Sequence, residues 1–447
     1  MVTPRRAQAR AGDAGPPDPP SGDGATAVLH LLADPYRYVS AQCRRLDSDL
    51  FTARLALEPA VFMSGADAAA CFYDASRFRR EGAAPEALLA TLFGRGGVQG
   101  LDGERHRQRK ALFVELTSGE RVDALAHRFR LALRTAMREL PADTPVSLTA
   151  TVQQVLMRVV CDWCGLPLAE GEREARTRDI VALFDLAGAK GLGHLRARVA
   201  RRRADRWAAR LIGQARARPR EHPDSALEKV AHWNDADGGL LAPHVAAVEL
   251  LNLVRPCVAV SVFITFAAHA LATHRERADA LRSELGQVGD PRDSTALTAF
   301  VQEVRRDYPF FPMLAARARG DIECLGHRIP ADRLVLFDVY GTNHDPRSWS
   351  QPFEFAPERF TPDAHGRFVE PLSDPDFAFI PQGGGDLAAG HRCPGEGIAL
   401  ALMAQAVHVL CLDADYRVPE QDLGLDMTRL PALPRDGMRV LRAKTSG

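Results

Sequence analysis

The chain has 447 residues, 46% hydrophobic and 26% charged, and its 57 Lys+Arg balance 57 Asp+Glu to a net charge of zero. This is the composition of an ordinary globular protein with length enough for a large core. The charge balance excludes any global attraction to nucleic acid or to an anionic membrane.

Residues 1–27 are rich in Pro, Gly, Ala and Arg and lack an apolar signal region. They are expected to form a disordered tail. No run is read as approaching the roughly 20 apolar residues of a bilayer span. A soluble, cytoplasmic protein with no membrane span and no nucleic-acid partner is therefore expected. From Val28 to Phe113 short strands and helices mix; "PAVFMSG" reads as a strand and "ADAAACFYDASRF" as an amphipathic helix. From Leu112 to about Leu285 nearly everything has helical period. The longest stretch starts at Ala242, and its 33 residues would span roughly 50 Å as one helix. Further on, "STALTAFVQEVRRDYP" reads as helix and "RLVLFDVYG" as extended chain. A Pro- and Phe-rich loop tract follows, then the Gly-rich stretch "FIPQGGGDLAAGHRCPGEG" and the apolar helix "GIALALMAQAVHVLCL". The predicted class is mainly α with a small β part.

Eight cysteines are scattered at 43, 71, 161, 164, 257, 324, 393 and 411 without a short-spacing framework, which reads as reduced thiols. Cys161 and Cys164 form a C-x-x-C inside an apolar helical pattern and read as buried structural thiols. From Leu195 to Arg220 the chain carries ten Arg against one Asp. That run reads either as a solvated helix face or as a docking surface for an acidic partner or an anionic substrate.

Cys393 lies in a Gly-rich loop just before a helix, where the positive helix end favours thiolate. A cysteine nucleophile would need a His base, and His391, two residues away, is poorly placed for it. With no second Cys or His at ligand spacing, the strong remaining reading is a single axial thiolate on haem iron. Glu303 and Arg306 form an E-x-x-R one helical turn apart, which alone is a common surface pair. Arg359 lies in "PERF", ahead of the Cys loop. Arg255 sits mid-way along the longest apolar helix, where a charge is costly unless paired. Pro256 removes a helix hydrogen bond there and predicts a local kink. Arg255 is either a buried ion-pair member or a ligand anchor.

The ordered set of E-x-x-R helix, "PERF" and Gly-rich Cys loop resembles the cytochrome P450 superfamily. The resemblance implies the fold of that family, a helical domain plus a smaller sheet-containing part with haem b between them, as a single catalytic domain over residues 28–447. It implies Cys393 as the iron ligand, with Gly390 and Gly395 beside it, and Glu303, Arg306 and Arg359 as a structural triad. The Cys loop departs from the ordinary members, which have Phe and Gly where Asp386 and Ala389 stand. Together with Arg255-Pro256, the long Gly-Gly-Gly loop is similar to the bacterial fatty-acid peroxygenases, as are "FVQEVRRDYPF", "YGTNHDPRSW" and "GHRCPGEG".

That branch implies hydrogen peroxide as oxidant and a fatty acid or related carboxylic acid hydroxylated at its α or β carbon. Arg255, with Pro256, would hold the substrate carboxylate as the acid-base group. Gln99 falls where the branch places a residue above the haem, Gln going with hydroxylation and His with decarboxylation to a terminal alkene. Arg80, His106 and Lys110 would meet the haem propionates, and Phe93, Phe310 and Phe311 would line the pocket. Two positions depart from the branch. Arg317 stands where ordinary members place a propionate-binding Arg. Lys190 falls in a segment that lines the fatty chain, which implies a shorter or more polar substrate or a side chain that snorkels out. The competing expectations are an alkene-forming decarboxylase, a monooxygenase whose Arg-rich run docks a ferredoxin, a non-catalytic haem carrier or sensor, and a Cys-nucleophile hydrolase.

Overall fold

The computed structural model describes residues 16–55, 58–218, 224–361 and 377–443. Five segments with two-residue alternation make one sheet: β1 (Leu50–Leu55), β2 (Glu58–Ser64), β3 (Phe78–Arg79), β4 (Met313–Ala318) and β5 (Leu334–Asp338). The strand order is β1-β2-β5-β4-β3. β2 and β5 run parallel with Phe62 opposite Leu336, and the other pairs are antiparallel. The alternation sends Val61 and Met63 to one face, with Phe72 and Phe337, and Ala60 and Phe62 to the other, with Tyr38 and Phe51.

The larger part is helical. The Pro243–Thr273 helix starts with Pro at its first turn and runs through Pro256 as a single element. It is apolar all round rather than along one stripe, so it is buried on all sides. The Leu148–Cys164, Leu192–Arg216 and Glu396–His408 helices surround it. The architecture is mainly α with a small β part, as the sequence implies.

Three expectations are corrected. The disordered tail fails over residues 16–27: Gly22 N–H donates to the Thr52 carbonyl at 2.8 Å, Arg328 N–H to the Pro17 carbonyl at 2.9 Å, and Ala27 is buried. The edge strand β1 offers free backbone groups that this segment satisfies. Residues 1–15 lie outside the described residues. The eight reduced thiols are corrected at one pair: Cys71 and Cys324 form a disulfide across 253 residues, a separation that leaves no local spacing signal. Cys161 and Cys164 are free and buried. Finally, among the described residues two helices are long and apolar enough for a span by composition, Pro243–Thr273 and Glu396–Asp413, but the apolar window of the first is 94% buried inside the protein.

Candidate active site

The Glu396–His408 helix presents its N-terminus to Cys393. The preceding loop turns at Gly383 (φ 93°) and Gly385 (φ 79°), both in the left-handed region that favours glycine. The Cys393 N–H donates to the Gln382 carbonyl at 3.1 Å, and the side chain is half-buried. Burial pushes the thiol up, opposed by the Gly395 N–H and the Lys110 ammonium. Asp386 explains the loop's departure from the common form. Its carboxylate accepts the N–H groups of Ala388 at 2.8 Å and Ala389 at 2.5 Å, closing the loop tip on itself. A Cβ on Gly390 would sit 2.6 Å from the Asp386 carbonyl oxygen, so the turn needs glycine. Glu396 pairs with Arg392 at 2.8 Å and with Arg305, which also reaches Gln382 at 3.1 Å.

A buried basic group faces this loop from the Gly103–Leu116 helix. Lys110 Nζ donates to the Gly390 carbonyl at 2.9 Å and to the Arg392 carbonyl, and burial lowers it to about 8. His106 stacks on His391 with ring centroids 4.0 Å apart, and burial holds it at about 3. Asp102 accepts the N–H groups of Arg80 at 2.9 Å and Glu81 at 2.8 Å and pairs with Arg319 at 3.1 Å. Burial alone would raise its carboxyl, but His391 and those N–H groups hold it at about 2. The Arg80 guanidinium lies 4.1 Å over the Phe72 ring, its Nη1 is buried without a hydrogen-bond partner, and burial lowers it to about 10. His391, weighed above as a base for Cys393, faces Asp102 and His106 instead.

A second cluster centres on Arg255. Its Nη1 donates to the Leu92 carbonyl at 2.7 Å and its Nη2 to Asn252 Oδ1 at 3.2 Å, while Nε is buried without a partner. It forms no ion pair among the described residues. Burial lowers its pKa to about 9, and the nearby Arg201 adds to that. Asn252 also donates to Gln99 Oε1 at 3.3 Å and to Glu249 at 2.9 Å. Glu249 in turn pairs with Arg109 at 2.6 Å, both side chains fully buried. Phe93 lies with its ring 6.0 Å from the Arg255 guanidinium. Arg201 reaches the same turn from the Leu192–Arg216 helix, donating to the Thr91 and Leu92 carbonyls at 3.3 Å and pairing with Asp205 at 2.8 Å.

Glu303 accepts from Arg306 at 2.7 and 2.8 Å, from the Ala356 N–H at 2.7 Å and from Arg359 at 3.3 Å, all within the interior. Phe310 stacks on Phe263 of the central helix at 4.2 Å, and Phe311 packs against the main core.

Two predicted residues stand outside these groups. The Arg317 guanidinium is engaged by Glu58 at 2.7 Å, the Gly82 carbonyl at 2.7 Å and the Asp332 carbonyl at 3.0 Å, and Arg319 reaches the Asp102 group in its place. Arg319 lies just past the end of β4, where the Ala75 and Phe78 carbonyls at 2.8 and 3.1 Å turn its guanidinium toward Asp102. Lys190 is exposed, so it snorkels out rather than facing a pocket. Sequence reading missed Asn252, Arg201, Glu249 and Asp102. Asn252 was within reach, because it lies one turn before Arg255 on the same helix face. Arg201 was hidden among ten arginines of one run.

The cytochrome P450 family model matches residues 216–422. Among curated proteins, Cytochrome P450 93G1 of Oryza sativa subsp. japonica is 26% identical over 333 residues, 70% of this chain and 61% of that protein. Two solved structures are similar over nearly the whole chain. Cytochrome P450SP alpha (CYP152B1) in complex with (R)-ibuprophen is 45% identical with a TM-score of 0.83, covering 93% of this chain and 98% of that one. Cytochrome P450EX alpha (CYP152N1), wild-type with myristic acid, is 37% identical with a TM-score of 0.85, covering 94% and 98%.

Proposed function

This chain belongs to the cytochrome P450 family, and from that premise we propose that it is a haem-thiolate peroxygenase that uses hydrogen peroxide to hydroxylate a fatty acid at the α or β carbon. Arg255 carries the reading. A buried guanidinium with no carboxylate partner is costly and is relieved by an anion. After its bonds to Leu92 and Asn252, three of its five N–H groups are left, Nε–H among them. These suffice to hold a carboxylate through two parallel bonds. The similar structures carry myristic acid and (R)-ibuprophen, both carboxylic acids.

Haem suits the residues between the two clusters. Cys393 at a helix N-terminus would ligate the iron. The unpartnered Arg80 Nη1, with His106 and Lys110, suits the anionic propionates. Gly395 keeps side-chain atoms away from the thiol, where a Cβ would lie 3.8 Å from Sγ, and Gly390 lets the loop tip close on Asp386. When bound, haem supplies the oxidising chemistry on peroxide.

The remaining work falls to the chain. Arg255 keeps the substrate carboxylate ionised and fixed, with the helix around Pro256 presenting it from the central core. Glu249 is held by Arg109 and Asn252, so the substrate carboxylate is the group placed to take a proton from hydrogen peroxide and return it as water leaves. The Gln99 amide, held by Asn252, has no titratable proton, which supports hydroxylation over decarboxylation. Phe93 covers the guanidinium from water, and Phe310 and Phe311 offer apolar wall for the chain of the acid.

The test is peroxide-driven turnover of a long-chain acid, with products read by mass spectrometry. Arg255→Ala is expected to lose about 100-fold or more in kcat/KM, as for a charge-assisted contact of about 3 kcal/mol, while keeping the thiolate spectrum of the carbon-monoxide complex that Cys393→Ala loses. Unchanged turnover by Arg255→Ala would falsify the anchor. Turnover only with NAD(P)H and a ferredoxin, or a terminal alkene as main product, would replace the reading with one of the alternatives.

A further inference from the structure

The Leu192–Arg216 helix has an inner and an outer face with different fates. The inner face buries Ala197, Ala204, Trp207 and Ala208. Arg201 and Arg216 also turn inward, Arg216 onto the Ala231 and Leu241 carbonyls at 2.7 Å. The outer face begins with an aliphatic stripe. Leu192, Leu195 and Val199, spaced i, i+3 and i+7, are 76%, 57% and 38% exposed. Arg202, Arg206 and Arg210 continue that face, with Arg196 and Arg198 beside it, all exposed. None of these five forms an ion pair among the described residues, whereas Arg203 pairs with Asp179 at 3.5 Å. The zero net charge of the chain thus hides a local cationic strip with an apolar tip.

Single exposed aliphatic residues need no explanation, but a contiguous stripe beside uncompensated cations does. An acidic protein partner would need an apolar patch of its own set beside its carboxylates to match both parts of this face. A second copy of the chain, in a two-fold contact on the leucines, would cover them and leave the arginine strips pointing apart without an anion. An anionic bilayer satisfies both, the aliphatics entering the acyl boundary and the guanidiniums meeting lipid phosphates. We propose that this outer face docks the protein on an anionic membrane surface, lying on the bilayer rather than spanning it. If the peroxygenase reading above holds, the docked helix is also the one whose Arg201 shares the Leu92 carbonyl with the acid's anchor Arg255.

The haem-loaded full chain is mixed with phosphatidylcholine vesicles and with vesicles rich in phosphatidylglycerol, and binding is read by co-sedimentation. Binding is expected to the anionic vesicles only and to weaken at high salt. Arg202→Gln with Arg206→Gln is expected to weaken it about 25-fold, at about fivefold per cation. Leu192→Ser with Leu195→Ser is expected to weaken it without changing the salt dependence. An unchanged carbon-monoxide spectrum in both variants shows that they are folded. Equal binding to neutral and anionic vesicles, or binding untouched by both variants, overturns the proposal. So does a concentration-dependent dimer that Leu195→Ser abolishes in the absence of lipid binding. None of these results depends on turnover, so failure here leaves the peroxygenase reading standing.

Discussion

Arg255 and Arg201 donate to one and the same carbonyl, that of Leu92, at 2.7 and 3.3 Å from two different helices. Two buried guanidiniums on one acceptor is an arrangement that repels unless anions are near. Asp205 supplies one for Arg201, and under the proposed function the substrate carboxylate supplies the other. Arg201 thereby positions the Leu89–Phe93 turn and raises the local positive potential. Arg201→Met is expected to weaken acid binding by about 10- to 100-fold, as for loss of charge-assisted hydrogen bonds, with the carbon-monoxide spectrum intact. Titration of the acid by the haem absorbance shift checks it.

The Glu303 carboxylate holds Arg306, Arg359 and the Ala356 N–H at once, with no solvent to replace any of them. Glu303→Gln removes the charge of a carboxylate that two buried guanidiniums share, while Arg306 keeps Asp307 at 3.3 Å. A loss of about 3 to 5 kcal/mol in unfolding free energy is expected, read from the denaturant midpoint at constant slope.

Asp338 gives a pH signature. Buried at the end of β5, it accepts the Gly341 N–H at 2.7 Å and the Ser64 hydroxyl at 3.3 Å. Burial dominates and pushes its carboxyl up to about 7. Between roughly pH 4 and pH 7 the folded chain therefore keeps a proton that the unfolded chain has released. The stability this group contributes is full below that window, falls as pH rises through it, and is gone above it. Asp338→Asn is expected to remove on the order of 2 to 4 kcal/mol of pH dependence between pH 4 and pH 8, seen as a flatter plot of unfolding free energy against pH. An unchanged slope would show that Asp338 is ionised throughout.

Gly390→Ala is expected to lower the haem content of the purified protein, because its Cβ would meet the Asp386 carbonyl oxygen at 2.6 Å and open the loop tip. Asp386→Ala removes the acceptor of two N–H groups and should have the same direction with a smaller effect. The ratio of haem to protein absorbance measures both.

The residues legible in the sequence share one property: their meaning lies within a turn or two of chain. Glu303 and Arg306 meet because they are one helical turn apart. The Cys393 environment follows from glycines and a helix start beside it, and Arg255 was conspicuous because its apolar neighbours are adjacent in sequence. Asn252 has the same local relation to Arg255, yet its link to Gln99 crosses 153 residues, and nothing local announces that.

By itself the sequence determined the helical frame, the Cys393 loop, the E-x-x-R pair and the presence of a cation in the central helix. These are set by backbone period, glycine conformation and spacing, which are properties of short segments. Tertiary structure alone decided which arginines of an evenly basic helix turn inward, Arg201 and Arg216, that Arg317 goes to Glu58 while Arg319 reaches Asp102, that Lys190 points to solvent, and that Cys71 meets Cys324. In each case the side chain's fate depends on a partner brought from a distant segment, and hydrogen bonding and desolvation act on distance in space, not along the chain.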